Sequence, residues 1–147
     1  MNSLKLLAAS FLGSAALIAG VAVADPVADG GRKLKTVMTG ANEIPGPGDT
    51  DGTGTASITV NPGQSRICYE LKVSNIGTAT AAHIHSAPVG VAGPVVVPLA
   101  APSDGDSSGC VDVTRSLADA IRKAPQGYYV NVHNADFPAG AIRGQLG

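Results

Sequence analysis

The chain of 147 residues carries 10 basic against 11 acidic side chains, a formal net charge of −1, no tryptophan and only 3% aromatic residues. A nearly neutral chain lacks the electrostatic footprint of a nucleic-acid binder, and so few rings leave no platform for stacking bases or sugars.

The first segment has the pattern of a secretory signal peptide. Lys5 provides a positive start, Leu6 to Val23 is almost unbroken apolar, and Ala22-Val23-Ala24 supplies the small-x-small site before Asp25-Pro26. Residues 1–24 are therefore expected to be removed after Ala24, by the Sec route because no twin-arginine pair is present. An uncleaved anchor is the alternative, since the stretch could just span a bilayer; its small-residue end favours cleavage. No cysteine follows the apolar run, so a lipid anchor is not indicated. The expected product is a secreted or periplasmic domain of about 120 residues, with no membrane attachment after cleavage. Cys68 and Cys110 are the only cysteines. In an exported chain they point to one disulfide, closing a loop of about forty residues worth roughly 4 kcal/mol in the chain-entropy treatment.

Residues 25–33 read as a flexible leader, and 34–147 as one domain. Lys35 to Thr39 forms a short strand, and Glu43 to Gly54 is a Pro/Gly/Asp-rich loop. Thr55 to Val60 is a half-buried strand with Ala56, Ile58 and Val60 inward. Asn61-Pro62-Gly63-Gln64 is a turn. In Arg66 to Val73 the residues Ile67, Tyr69, Leu71 and Val73 face in, while Arg66, Cys68, Glu70 and Lys72 face out. Cys110 has the same outward phase, against Val111 and Val113, which puts the bridge on the outer face or at an edge. Val95-Val96-Val97 is a continuous apolar run and reads as a buried strand. A helix is expected over 116–124, capped by Ser116 with Asp119 completing a capping box. Leu117, Ala120, Ile121 and Ala124 form its apolar stripe, and Pro125 with Gly127 ends it. Gly127 to Asn134 and Ala141 to Leu146 are the last strands. Seven or eight short strands define an all-β Greek-key sandwich or barrel with one short helix.

The chemistry lies in three histidines, all the chain has. Strand alternation puts His83 and His85 on one face, and His133 shares a face with Asn131 and Tyr129, whereas Val130 and Val132 face the core. If the two strands meet, three imidazoles converge. They are then either a copper or zinc site with an open position, backed by Asn131, Tyr129 and Arg143, or a cluster hydrogen-bonded to backbone without metal. Arg143 is expected to be a salt-bridged edge residue or, less simply, an anion guide beside a metal. The loop Ser86 to Pro94 has no P-loop lysine and no helix after it, so it reads as structural cover for the histidines. Asp49-Thr50-Asp51-Gly52 and Asp104-Gly105-Asp106 resemble pieces of calcium loops but have the residues of ordinary turns. There is no G-x-S-x-G, both cysteines are committed, and Glu43 and Glu70 stand far apart, so no catalytic constellation emerges.

Five segments in order resemble the CHRD domain, the module named from chordin. They are Thr39-Gly40-Ala41-Asn42-Glu43-Ile44-Pro45, Ile67-Cys68-Tyr69-Glu70-Leu71-Lys72-Val73, Ala82-His83-Ile84-His85 with Gly90 and Gly93, Tyr129-Val130-Asn131-Val132-His133, and Pro138-Ala139-Gly140-Ala141-Ile142-Arg143-Gly144-Gln145-Leu146. The family pattern usually has threonine where Asn134 stands and glutamate where Ala141 stands. The resemblance implies an extracytoplasmic β-sandwich, not an activity. A fainter similarity is to copper/zinc superoxide dismutase, which has an H-x-H strand, a later V-H strand and a Gly/Arg-rich final strand. His83, His85 and His133 are similar in order and spacing to three of its copper ligands. The bridging histidine and the zinc-ligand loop have no counterpart, so that similarity implies one copper site without a zinc half. The expected function is thus an exported, non-enzymatic binding or structural module with a mononuclear copper or zinc site and an extracytoplasmic partner of unknown kind. The alternative is a copper-binding, superoxide dismutase-like redox protein using the three histidines.

Overall fold

A computed structural model describes residues 31–147. The expected signal peptide, and the leader as far as residue 30, lie outside the described residues. Eight strands follow: β1 Arg32–Thr39, β2 Thr53–Asn61, β3 Arg66–Ser74, β4 Ala79–Ser86, β5 Val95–Leu99, β6 Asp106–Asp112, β7 Tyr128–Asn134 and β8 Ile142–Gln145. The helix α1, Arg115–Lys123, lies between β6 and β7. The strands form one antiparallel sheet in the order β5-β4-β7-β8-β1-β2-β3-β6. After the β1-β2-β3 meander the chain leaves for β4 and β5, then returns β6 to β3 and β7 to β4, the over-and-back route of a Greek key.

The sheet curls into a nearly closed barrel. Ala100, which follows the end strand β5, closes it on the other end: Ser107 Oγ of β6 donates to Ala100 O at 2.8 Å, and Ala100 N donates to the hydroxyl of Tyr69 on the adjoining β3 at 2.9 Å. Alternation fills the interior. Leu34, Met38, Ala56, Ile58, Val60, Ile67, Leu71, Ile84, Val97, Val130, Val132 and Ile142 are all buried, and Ala118 and Ile121 of α1 pack against them. The inward residues expected in β2 and β3 are in place, although Val73 is only partly buried.

Five local expectations change. The strand β1 starts at Arg32, because Arg32 and Lys33 pair with Val60 and Thr59. The helix is capped by Thr114, whose Oγ1 accepts from Leu117 N at 3.1 Å, and Ser116 falls inside the first turn. Asp119 does not close a capping box; it pairs with Arg122 at 2.9 Å and with Lys123 one turn on. The buried helix positions are Ala118 and Ile121, while Ala120 and Ala124 are exposed. Val95 is 48% exposed, since β5 ends the sheet and only alternate residues, Val97 and Leu99, turn inward.

Cys68 and Cys110 sit directly opposite each other in the β3–β6 pairing and are bonded on the outer face. The loop they close spans 42 residues of sequence separation. Replacing both cysteines with alanine is expected to lower the unfolding free energy by about 2–4 kcal/mol, read from denaturant melts. An unchanged midpoint would show that the crosslink does not constrain the unfolded chain.

Candidate metal centre

The outer face of β4 and β7 carries the histidines because the two strands pair with His83 opposite Asn131 and His85 opposite Tyr129. Residues directly opposite share a face, so the H-x-H pair and the Tyr129-Asn131-His133 row meet. His83 Nδ1 lies 3.2 Å from His133 Nε2. One ring nitrogen from each of His83, His85 and His133 lies within 4.8 Å of the other two. The convergence expected from alternation is therefore present. The turns at Asp49 and Asp104 belong to no such group among the described residues.

Two carbonyls fix the rings. His85 Nδ1 is 2.8 Å from Gly93 O, and His133 Nδ1 is 3.0 Å from Pro138 O. A carbonyl only accepts, so the network assigns the proton to Nδ1 of both rings and leaves both Nε2 lone pairs free. His133 Nε2 then accepts from His83 Nδ1. His85 Nε2 has no such partner: it is buried and makes no hydrogen bond among the described residues. Burial, together with the neighbouring His133 and His85, holds His83 below the usual histidine range. Burial also lowers His133, against the Pro138 carbonyl, which raises it. Both shifts favour the neutral form that a metal ion requires.

Behind the rings is a polar layer between the sheet and two covering loops. Tyr129 stacks on His85 with centroids 4.7 Å apart and planes 10° from parallel. The Arg143 guanidinium lies 3.4 Å from the Tyr129 ring centroid. It donates to Val91 O at 2.9 Å, Pro88 O at 3.1 Å and Gln145 Oε1 at 3.3 Å. The Gly93 amide donates to the Tyr129 hydroxyl at 3.2 Å, so one residue holds both Tyr129 and His85. Only glycine fits there, since a Cβ would stand 2.1 Å from Ser86 O.

Arg143 is neither of the things expected of it. It lies on β8, inside the sheet between β7 and β1, and is only 2% exposed. It has no carboxylate in salt-bridge range among the described residues, and the loop carbonyls cover it from solvent. Tyr129 touches a histidine directly, whereas Arg143 stands one layer further back. Asn131 faces the same side but lies by Glu43, whose pKa it lowers, and it makes no hydrogen bond to a histidine among the described residues.

Glu43 is the residue that sequence reasoning missed. It is 2% exposed, its Oε1 has no hydrogen-bond partner among the described residues, and a Cβ on Gly140 would lie 2.4 Å from its carboxylate. Burial raises its pKa to about 7, opposed by the Arg143 charge, the Ile44 amide and Asn131. Its signal was hidden in a Pro/Gly loop, where an acidic residue normally marks solvent.

A family model for the CHRD domain matches residues 34–146, so the chain belongs to the CHRD domain family. No curated protein and no solved structure matches it.

The burial of Glu43 has a pH signature. Between the ordinary value of 4.5 and about 7 the folded protein holds a proton that the unfolded chain has released, so this group's contribution to stability falls as pH rises through that window. His83 and His133, lowered from 6.5, act in the opposite sense, contributing stability that is lost as pH falls below 6.5. Comparing wild type with Glu43→Gln isolates the carboxyl. The variant is expected to match wild type near pH 4 and to exceed it by about 3 kcal/mol at pH 8. Parallel stability–pH curves would contradict the assignment.

Proposed function

We propose that this CHRD-domain protein is an exported binding module that holds one copper or zinc ion on His83, His85 and His133. The observation that carries the reading is the Nε2 of His85, a buried acceptor without a partner in a group of converging imidazoles. A buried polar atom left unpaired asks for an explanation, and an ion is one. The spacing supports it. Two nitrogens, each bound at ~2.0–2.1 Å with near-tetrahedral angles, lie about 3.3 Å apart. His83 Nδ1 and His133 Nε2 are 3.2 Å apart.

The donor set would be Nδ1 of His83 and Nε2 of His85 and His133, with Gly93 O and Pro138 O orienting two of the rings. His83 must first move its proton from Nδ1 to Nε2. His83 and His133 are half-buried and His85 is buried, so the open side lies between the first two, where solvent or a partner can supply a further ligand. The disulfide and the secretory pattern of residues 1–24 support an extracytoplasmic, oxidising setting. A binding role is favoured over catalysis because the groups behind the histidines are committed to holding them in place.

Isothermal titration with Cu²⁺ and with Zn²⁺ tests this. One ion per chain should bind, and His85→Ala should abolish binding while the fold is kept. Absence of stoichiometric binding, or full affinity in the variant, would refute the site.

A further inference from the structure

We infer that the site holds copper as the monovalent ion, and that Arg143 sets this preference through the Tyr129–His85 stack. The inference rests on the metal-binding reading above. Its basis is a fixed positive charge behind a set of neutral ligands.

Arg143 is 2% exposed and its guanidinium is pinned by two backbone carbonyls and one side-chain amide, none of which carries a charge. Its face lies against Tyr129, and the strand order β4-β7-β8 puts His85 and Arg143 on opposite sides of that ring. The two separations, 3.4 Å and 4.7 Å, place the cation at most about 8 Å from the His85 ring, with an aromatic ring and not water in between. The carboxyl that feels the Arg143 charge is Glu43, and its burial raises its pKa to about 7, so it is only partly ionised near neutral pH and offsets that charge only in part.

Among the described residues, the group gathered around the site contains only imidazoles, with no carboxylate or thiolate. Neutral ligands cancel none of an ion's charge. A buried cation opposes each unit of that charge, so it opposes a divalent ion about twice as strongly as a monovalent one. Among metals that imidazole suits, copper is the one that offers both charges, while zinc offers only the divalent form. Monovalent copper also accepts three ligands without a fourth, which matches the three rings.

The test measures affinity for both copper ions by competition with chelators of known strength: Cu⁺ anaerobically under ascorbate, and Cu²⁺ in air. Wild type, R143M and R143K are compared. Wild type should favour Cu⁺, placing its copper couple above that of aqueous copper. R143M should lower the Cu⁺-to-Cu²⁺ affinity ratio by about tenfold or more. R143K keeps the charge but loses the planar fork, and should retain most of the wild-type ratio. A merely structural role would move both variants alike, and equal ratios in all three proteins would overturn the inference while leaving the metal site standing. If R143M does not fold, the wild-type couple decides alone: a value below aqueous copper overturns the inference. If neither ion binds wild type, the metal-binding reading itself fails.

Discussion

The candidate site depends on one pairing, β4 against β7, in the register that sets His85 opposite Tyr129 and His83 opposite Asn131. The side-chain period of a strand is two, so a slip of β4 by one residue would turn His83 and His85 inward, away from His133, and push Ile84 out. Ile84, Val130 and Val132 are fully buried, and that apolar set pins the register on the inner face. The core thereby specifies the site without touching it. Packing inside the barrel decides which three polar rings meet outside.

The outer face of β7 and β8 is not an ordinary solvated face. The loops that follow β1 and β4 lie over it, and their backbone groups must find partners once buried. Arg143 and Gln145 satisfy several: Arg143 takes the carbonyls of Pro88 and Val91, and Gln145 Nε2 lies within 2.9 Å of those of Ala87, Gln126 and Tyr128. The loop from Ser86 to Pro94 is thus fastened by a buried cation, and the same loop returns Gly93 to orient His85. Carbonyl dipoles and the face of Tyr129 stabilise that cation in place of a carboxylate. Glu43 lies in the same layer, too deeply buried to ionise readily, so the layer carries more positive than negative charge below about pH 7.

Much of this could be read from the sequence. The alternation in β2, β3 and β7 gave the correct inward residues, and the matched phases of Cys68 and Cys110 located the disulfide. The convergence of His83, His85 and His133 followed from the same rule once their strands paired. What could not be read arises from contacts distant in sequence. Val95 looked buried because three valines in a row do not reveal that their strand ends a sheet. Ser116 looked like a cap because Thr114, two residues earlier, is an equally good acceptor and only the helix start distinguishes them. Glu43 gives no local signal and Arg143 reads as an edge residue for one reason: a charged residue ordinarily faces water. Nothing local in the chain shows that loops will close over both.

The central claim is that the three imidazoles hold one ion. X-ray absorption at the zinc edge of protein loaded with one equivalent of Zn²⁺ tests it most directly. The account predicts three imidazole nitrogens at about 2.0–2.1 Å with the multiple-scattering pattern of histidine rings. A spectrum with one imidazole or none would contradict it.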